Sequence, residues 1–187
     1  VLDACAAPGG KSFAAAMQMR NEGSILSCDI HPHKLTLIEK GAERLGITVL
    51  QTRLQNAAEH DPALDGQFDA VIADVPCSGL GVIRKKPDIR YKPLEPLARL
   101  PELQRAILEN VCRYVKPGGT LVYSTCTVLR RENEAVAEAF LKEHPVFSPE
   151  TIPAPTGFGL ENDGMLTLLP FKHDTDGFFI CRMRKHS

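Results

Sequence analysis

The chain has 187 residues, enough for one domain with a substantial buried core and too few for a second full one. Twenty-two Lys and Arg against 23 Asp and Glu leave a formal charge of −1, which excludes a global positive field for a polyanion, so any nucleic-acid contact must be local. With 43% hydrophobic residues, 14 Gly and 14 Pro, the composition excludes disordered and collagen-like chains, and the apolar runs are too short to cross a bilayer.

Val1–Cys5 predicts a strand that opens without an initiator Met, as if cut from the middle of the element, so the chain reads as a fragment of a longer protein. Gly9-Gly10 then turns into an Ala-rich helix over Lys11–Met19. Ser24–Asp29 reads as a second strand, and His33–Leu45 as a helix with Leu35, Ile38, Ala42 and Leu45 on one face and Gly46 as its stop. Thr48–Thr52 gives a third strand; Phe68–Asp74 gives a fourth, apolar enough to be buried on both faces. The Pro-rich stretch Pro76–Pro101 is long for a connection in a compact domain and reads as a functional loop or lid. Leu103, Ile107, Val111 and Tyr114 recur at helical spacing, Pro117-Gly118-Gly119 breaks that helix, and Thr120–Ser124 is a fifth strand. Glu132–Glu143 predicts a further helix, Pro145–Thr175 is loop-like, and Gly177–Met183 is a last strand. This alternation predicts an α/β domain with a mostly parallel sheet.

The chemistry-bearing residues fall at strand ends. Asp3 to Lys11 (DACAAPGGK) sits where the first strand turns into a helix, and a Gly-rich turn there lets a ligand approach the backbone and the helix N-terminus. It is neither G-x-G-x-x-G nor the G-x-x-x-x-G-K-[ST] loop, which disfavours a dinucleotide, a nicotinamide-dependent oxidoreductase included, or a triphosphate. Asp29 ends the second strand, where a carboxylate accepts hydrogen bonds from ribose hydroxyls, so the pair of features suggests an adenosine-containing cofactor. Asp74-Val75-Pro76-Cys77-Ser78-Gly79 ends the fourth strand and Ser124-Thr125-Cys126-Thr127 the fifth. If those strands are adjacent, Cys77 and Cys126 face one cleft, and a thiol in a turn beyond a strand end can be activated as thiolate.

The other cysteines, at 5, 28, 112 and 181, form no C-x-x-C pair, and the set reads as free thiols in a reducing cytosol. Cys28, Cys112 and Cys181 fall within strand or helix patterns and read as small hydrophobes. The histidines at 31, 33, 60, 144, 173 and 186 have no partners at metal-ligand spacing, and no metal is predicted. Arg84, Lys85, Lys86, Arg90 and Lys92 concentrate positive charge directly after the Cys77 loop, where phosphate contacts are expected, with Arg130 and Arg131 as a second patch beyond Cys126.

Taken together, DACAAPGGK, DVPCSG, STCT, the run Gly81–Arg90 and the closing DGFFICRMRK resemble the RNA cytosine-5 methyltransferases, and within them the Sun/Fmu-type ribosomal RNA methyltransferase B family. The resemblance implies a class I methyltransferase (Rossmann-like) fold with a mostly parallel seven-stranded sheet and an antiparallel last strand, residues 1–187 forming the catalytic domain and an upstream RNA-binding region being absent. It implies S-adenosylmethionine as cofactor, S-adenosylhomocysteine as product, and methylation at C5 of a single-stranded or loop cytosine in small-subunit ribosomal RNA. A cytoplasmic monomer without membrane contact is expected. Carried over by residue, Cys5, Ala6, Ala7, Pro8, Gly9, Gly10 and Lys11 form the cofactor loop, Asp29 holds the ribose, and Asn56 stands where family members place an Asp toward the adenine. An amide there lacks charge assistance. By the same resemblance Cys126 is the nucleophile that adds to cytosine C6, Cys77 assists release of the methylated RNA, and Asp74 holds the flipped base and takes part in the cofactor site. DNA enzymes of related chemistry use the Pro-Cys thiol as nucleophile, which makes Cys77 the rival. Lys11 is expected either at the active-site carboxylate or exposed, and Phe178-Phe179 in the core. A non-catalytic RNA-binding module that retains the fold is the alternative function.

Overall fold

The computed structural model describes residues 1–153 and 162–187. Five parallel strands form its centre: β1 (Leu2–Asp3), β2 (Ile25–Asp29), β3 (Leu50–Leu54), β4 (Phe68–Asp74) and β5 (Val115–Thr125). Helix α1 (Gly10–Gln18) follows β1, and α2 (Pro32–Arg44) follows β2. Helices α3 (Leu94–Ala98) and α4 (Leu100–Val111) precede β5, and α5 (Glu134–Glu143) follows it. After β6 (Phe147–Pro149), β7 (Met165–Leu168) and the short α6 (Pro170–His173), β8 (Phe178–Lys185) returns antiparallel beside β5. The sheet order is β3-β2-β1-β4-β5-β8-β6, so the winding reverses between β1 and β4, and a crevice opens there beyond the carboxyl ends of the strands.

The mostly parallel sheet with antiparallel last strand agrees with expectation; the strand count is eight rather than seven. The extra strand adds no width. β7 pairs with Phe178–Cys181 and β6 with Met183–Lys185, so the two lie end to end along one edge of β8. Both fall in the stretch read as loop-like, because strands of three and four residues are too short for an alternation to register; residues 154–161 of that stretch lie outside the described residues.

Two boundaries and one buried face also differ from expectation. The third strand is displaced to Leu50–Leu54. α4 ends at Val111, and Pro117-Gly118-Gly119 does not stop it but lies inside β5 as an irregularity, with Val115 opposite Phe68 and the next pair at Thr120 and Ala70. Pro117 has no N–H for the ladder and Gly118 takes φ +75°, so the strand bulges and rejoins. In α2 the buried positions are Ile38, Gly41 and Ala42, while Leu45 is exposed. Gly41 is required because the Phe13 ring of α1 packs onto it, 2.5 Å from where a Cβ would stand. On the other side of the sheet, Ile107, Leu108 and Val111 of α4, Phe140 of α5, and Tyr123 and Phe179 of the β5–β8 pair are buried together. This fixes the ends of β4 and β5, where the thiols begin.

Candidate active site

The loop between β1 and α1 closes on itself: Gly9 N–H donates to Ala6 O (2.7 Å) and Ala6 N–H to Cys28 O (2.8 Å). Gly9 caps α1 at φ +108°, with the Phe13 ring 2.4 Å from where a Cβ would stand, so only glycine fits. Two adjoining clefts flank this loop. The larger, about 250 Å³, is lined by Ala4, Cys5, Asp29, His31, Lys34, Gln55, Asn56, Ala57, Pro76, Leu103 and Ile107. The smaller, about 180 Å³, is lined by Asp3, Cys5, Ala6, Ala7, Pro8, Gly10, Lys11 and Asp74. Every residue expected in the cofactor site therefore lines a cleft, except Gly9, which shapes the turn beneath it.

Asp29 is buried, its Oδ1 accepting His31 N–H at 2.9 Å with Lys34 Nζ 3.8 Å away. Asn56 uses its side chain locally: Oδ1 accepts Ala58 N–H and Nδ2 donates to Glu59, so it shapes the cleft wall as a turn. Leu103, predicted on the core face of α4, is 40% exposed because it faces the larger cleft, and Gln104 takes the buried place beside it. Asp3 is fully buried; its Oδ2 accepts from Ser12 Oγ, which in turn accepts from Ser27 Oγ. Its Oδ1 has no hydrogen-bond partner among the described residues, and desolvation pushes the carboxyl up to about 6.

At the ends of β4 and β5, in register as Asp74 opposite Ser124, the two expected thiols meet. Cys77 Sγ lies 3.2 Å from Cys126 Sγ and accepts Cys126 N–H at 3.3 Å. The hydrogen bond with Cys77 lowers Cys126 from an ordinary 9.0 to about 7, against its own desolvation and the nearby Asp74 carboxylate. The same contact, with burial, pushes Cys77 far up. One thiol is thus poised as thiolate near neutral pH and the other kept protonated. Asp74 closes the group, accepting from Ser124 Oγ at 2.7 Å and from Lys11 Nζ at 2.6 Å, the latter 5.0 Å from the Phe178 ring centroid. Of the two positions open to Lys11, the structure takes the carboxylate. Phe179 is core as expected, while Phe178 is only partly buried, under Lys11.

A family model described as 16S rRNA methyltransferase RsmB/F matches residues 1–184. The chain belongs to this family. It is 48% identical over 192 aligned positions to the probable ribosomal RNA small subunit methyltransferase B of Bacillus subtilis (strain 168), covering 99% of the chain and 43% of that protein. It is 37% identical to the ribosomal RNA small subunit methyltransferase F of Escherichia coli O7:K1 (strain IAI39 / ExPEC), covering 99% of the chain and 40% of that protein. The crystal structure of NSun6 from Pyrococcus horikoshii with SFG superposes with a TM-score of 0.84 at 31% identity, covering all of this chain and 47% of that one. The chain thus spans less than half the length of these RsmB/F relatives.

Other side chains of the site escaped the sequence reading. Glu132 was expected to begin a helix; the helix starts at Glu134 instead, and Glu132 turns inward, fully buried, because its carboxylate takes Ser78 N–H (2.9 Å) and Gln104 Nε2 (3.0 Å). Ser78 Oγ bonds to Thr127 Oγ1, Asn133 accepts from Thr125 Oγ1 and donates to Thr127 O, and Gly81 N–H donates to Cys126 O. An Arg-Arg-Glu-Asn-Glu string reads as an exposed helix start, and nothing local to it signals partners tens of residues away. Gly177 O lies 2.0 Å from where a Gly81 Cβ would stand, so two backbones touch beside the thiols.

The basic run is exposed, as a phosphate-binding rim would be, but partly spoken for. Arg84 pairs with Asp174 (3.3 Å) and Lys85 with Asp176 (2.6 Å), and Arg130 pairs with Glu138. Lys86, Arg90, Lys92 and Arg131 have no carboxylate partner among the described residues. Among those residues no group of three or more His, Cys, Asp or Glu could hold a metal ion, and no helix is long and apolar enough to cross a membrane.

Proposed function

We propose that this chain is the catalytic domain of a small-subunit ribosomal RNA methyltransferase, transferring a methyl group from S-adenosylmethionine to C5 of a cytosine through a covalent Cys126–C6 adduct. The observation that carries the reading is the pair of thiols at 3.2 Å near Asp74, which itself lines the smaller of two adjoining clefts suited to an amino-acid nucleoside.

The clefts fit the cofactor. Asp29 stands on the larger one as an acceptor for ribose hydroxyls, the apolar Ala57, Leu103 and Ile107 offer faces for a flat base, and Asp3 presents an unpartnered buried oxygen where an ammonium would be satisfied. S-adenosylmethionine, when bound, supplies a methyl on a sulfonium, an electrophile that a cytosine carbon is by itself too poor a nucleophile to take.

Cys126 removes that obstacle. Its sulfur adds to C6 as thiolate, moves electron density to C5, and so makes that carbon enamine-like. A thiol lowered by its contact with a second thiol supplies the nucleophile near neutral pH. Asp74 accepts from the exocyclic amino group of the extruded base, and the Lys11 ammonium beside it offers a donor for charge that addition drives into the ring. After methylation the C5 proton leaves to a base, the C6–S bond breaks, and Cys77, held protonated in contact with the departing sulfur, assists that release. Lys86, Arg90 and Lys92 hold backbone phosphates of a single-stranded or loop segment, so binding weakens with salt. On this reading the domain works in the cytoplasm as a monomer, with an upstream RNA-binding region supplied by the longer protein.

Calorimetric titration with S-adenosylhomocysteine, with NAD as control, tests the cofactor, and labelled methyl transfer to unmodified small-subunit RNA tests the reaction. Saturable binding of the first ligand alone and label in 5-methylcytosine support the proposal. Binding without any label would favour a non-catalytic RNA-binding module, and label in Cys126→Ala would overturn the mechanism.

A further inference from the structure

Both peptide groups flanking Cys77 are gripped by one buried pair of side chains. Gln104 Nε2 donates to Pro76 O at 2.9 Å, on the near side of Cys77, and Glu132 Oε2 accepts Ser78 N–H at 2.9 Å, on the far side; the two grips are joined by the Gln104–Glu132 hydrogen bond at 3.0 Å. Glu132 and Gln104 are both at 0% exposure. A carboxylate in such a place is costly unless its bonds do something an apolar side chain could not. The base of Glu132 is anchored as well, its carbonyl accepting Tyr123 O–H at 2.5 Å from β5. The clamp therefore ties the Cys77 loop to the strand that leads into Cys126.

We propose that Glu132, with Gln104, is a positioning residue that holds Cys77 Sγ against Cys126 Sγ and thereby sets the nucleophilicity of Cys126. The inference rests on the reading of Cys126 as nucleophile and adds to it a residue that touches neither RNA nor cofactor. What matters is reach. Only one carboxylate oxygen is used, and the other has no hydrogen-bond partner among the described residues, so an amide of equal length can take over while a shorter acid cannot.

The test is the rate at which iodoacetamide alkylates Cys126 in the 187-residue chain, followed against pH by peptide mass mapping, with S-adenosylhomocysteine binding and thermal unfolding measured on the same samples. Glu132→Asp should slow alkylation at pH 7 about fivefold, as a one-unit upward shift of a thiol that starts at about 7 requires, with ligand binding and unfolding little changed. Glu132→Gln should remain within about threefold of the unsubstituted chain, and Gln104→Leu, which frees only the Pro76 side, should slow it about threefold. A folded Glu132→Asp chain that alkylates normally overturns the proposal. So does a Glu132→Gln chain as slow as Glu132→Asp, or reactivity lost only together with ligand binding and stability, which would make Glu132 a residue of the fold. Should Glu132→Asp not fold, normal alkylation in Gln104→Leu overturns it equally. Failure of the underlying reading looks different: Cys126 would be unreactive at pH 7 in the unsubstituted chain.

Discussion

Cys5 and Cys126 both end strands of the same sheet, and both are partly exposed, yet their thiols move in opposite directions. Desolvation and the surrounding carboxylates push Cys5 far up, whereas the Cys77 hydrogen bond brings Cys126 down to about 7. The two belong to regions built on different terms. Around Cys5 the carboxyl ends of β1, β2 and β3 enclose clefts of about 250 and 180 Å³, with Asp29 on the wall held by His31 N–H. Around Cys126 the loops after β4 and β5 are laced by Ser78–Thr127, Glu132–Ser78 and Asn133–Thr125. A binding region needs space for a ligand to fill, while a nucleophile needs neighbours that do not move, since its pKa depends on contacts of a few ångströms.

The two regions should therefore come apart under substitution. Cys126→Ala should reduce methyl transfer to RNA more than about a thousandfold, measured with labelled methyl donor, while S-adenosylhomocysteine binding by calorimetry stays within about twofold. Cys77→Ala should shift the pH at which Cys126 becomes reactive from about 7 toward its ordinary 9.0. Because the thiolate is the reactive form, and is populated only above the pKa, alkylation at pH 7 should slow between about tenfold and a hundredfold. The same variant should accumulate a covalent protein–RNA species visible on a denaturing gel; finding that species in Cys126→Ala instead would exchange the two roles.

On the other side, Asp29→Ala should weaken S-adenosylhomocysteine about tenfold and leave the Cys126 alkylation profile in place. A change in both readouts would mean that the regions are coupled. The smallest effect concerns Asp3, whose carboxyl rises from 3.8 to about 6 on folding. The folded chain then holds a proton that the unfolded chain has released between about pH 4 and 6, so stability falls as pH rises through that window. Asp3→Asn should flatten this dependence and stabilise the unliganded chain by about 1–2 kcal/mol at pH 7, read by denaturant unfolding, while weakening S-adenosylhomocysteine. An unchanged pH profile would remove Asp3 as its source.

The wall of the smaller cleft was readable because DACAAPGGK is a local string lying where a strand must stop, and so was Asp29 on the larger one, whereas His31, Lys34, Gln55 and Leu103, which also line the larger cleft, carried no such signal. Cys77 and Cys126 were readable in the same way, each following an apolar run. Glu132, Gln104 and Asn133 were not. Each sits in a helical or capping pattern that predicts a solvated side chain; peptide groups of the Cys77 loop turn Glu132 and Gln104 inward, and Thr125 and Thr127, a few residues back in the chain, turn Asn133 inward. The basic run shows the converse: its composition was plain, but Asp174 and Asp176, far along the chain, already take Arg84 and Lys85.

The amino-acid sequence by itself determined the alternation of strands and helices, the strand ends at which chemistry could sit, and the residue types available there, because periodicity and turn chemistry act over a few neighbouring residues. Only the tertiary structure decided which thiol is acidic and which is not, that β6 and β7 share one edge of β8, and that a glutamate from a helix start becomes the brace of the Cys77 loop. Those outcomes depend on distances between groups remote in sequence, where Coulomb and hydrogen-bond energies change steeply over an ångström and no local pattern records them.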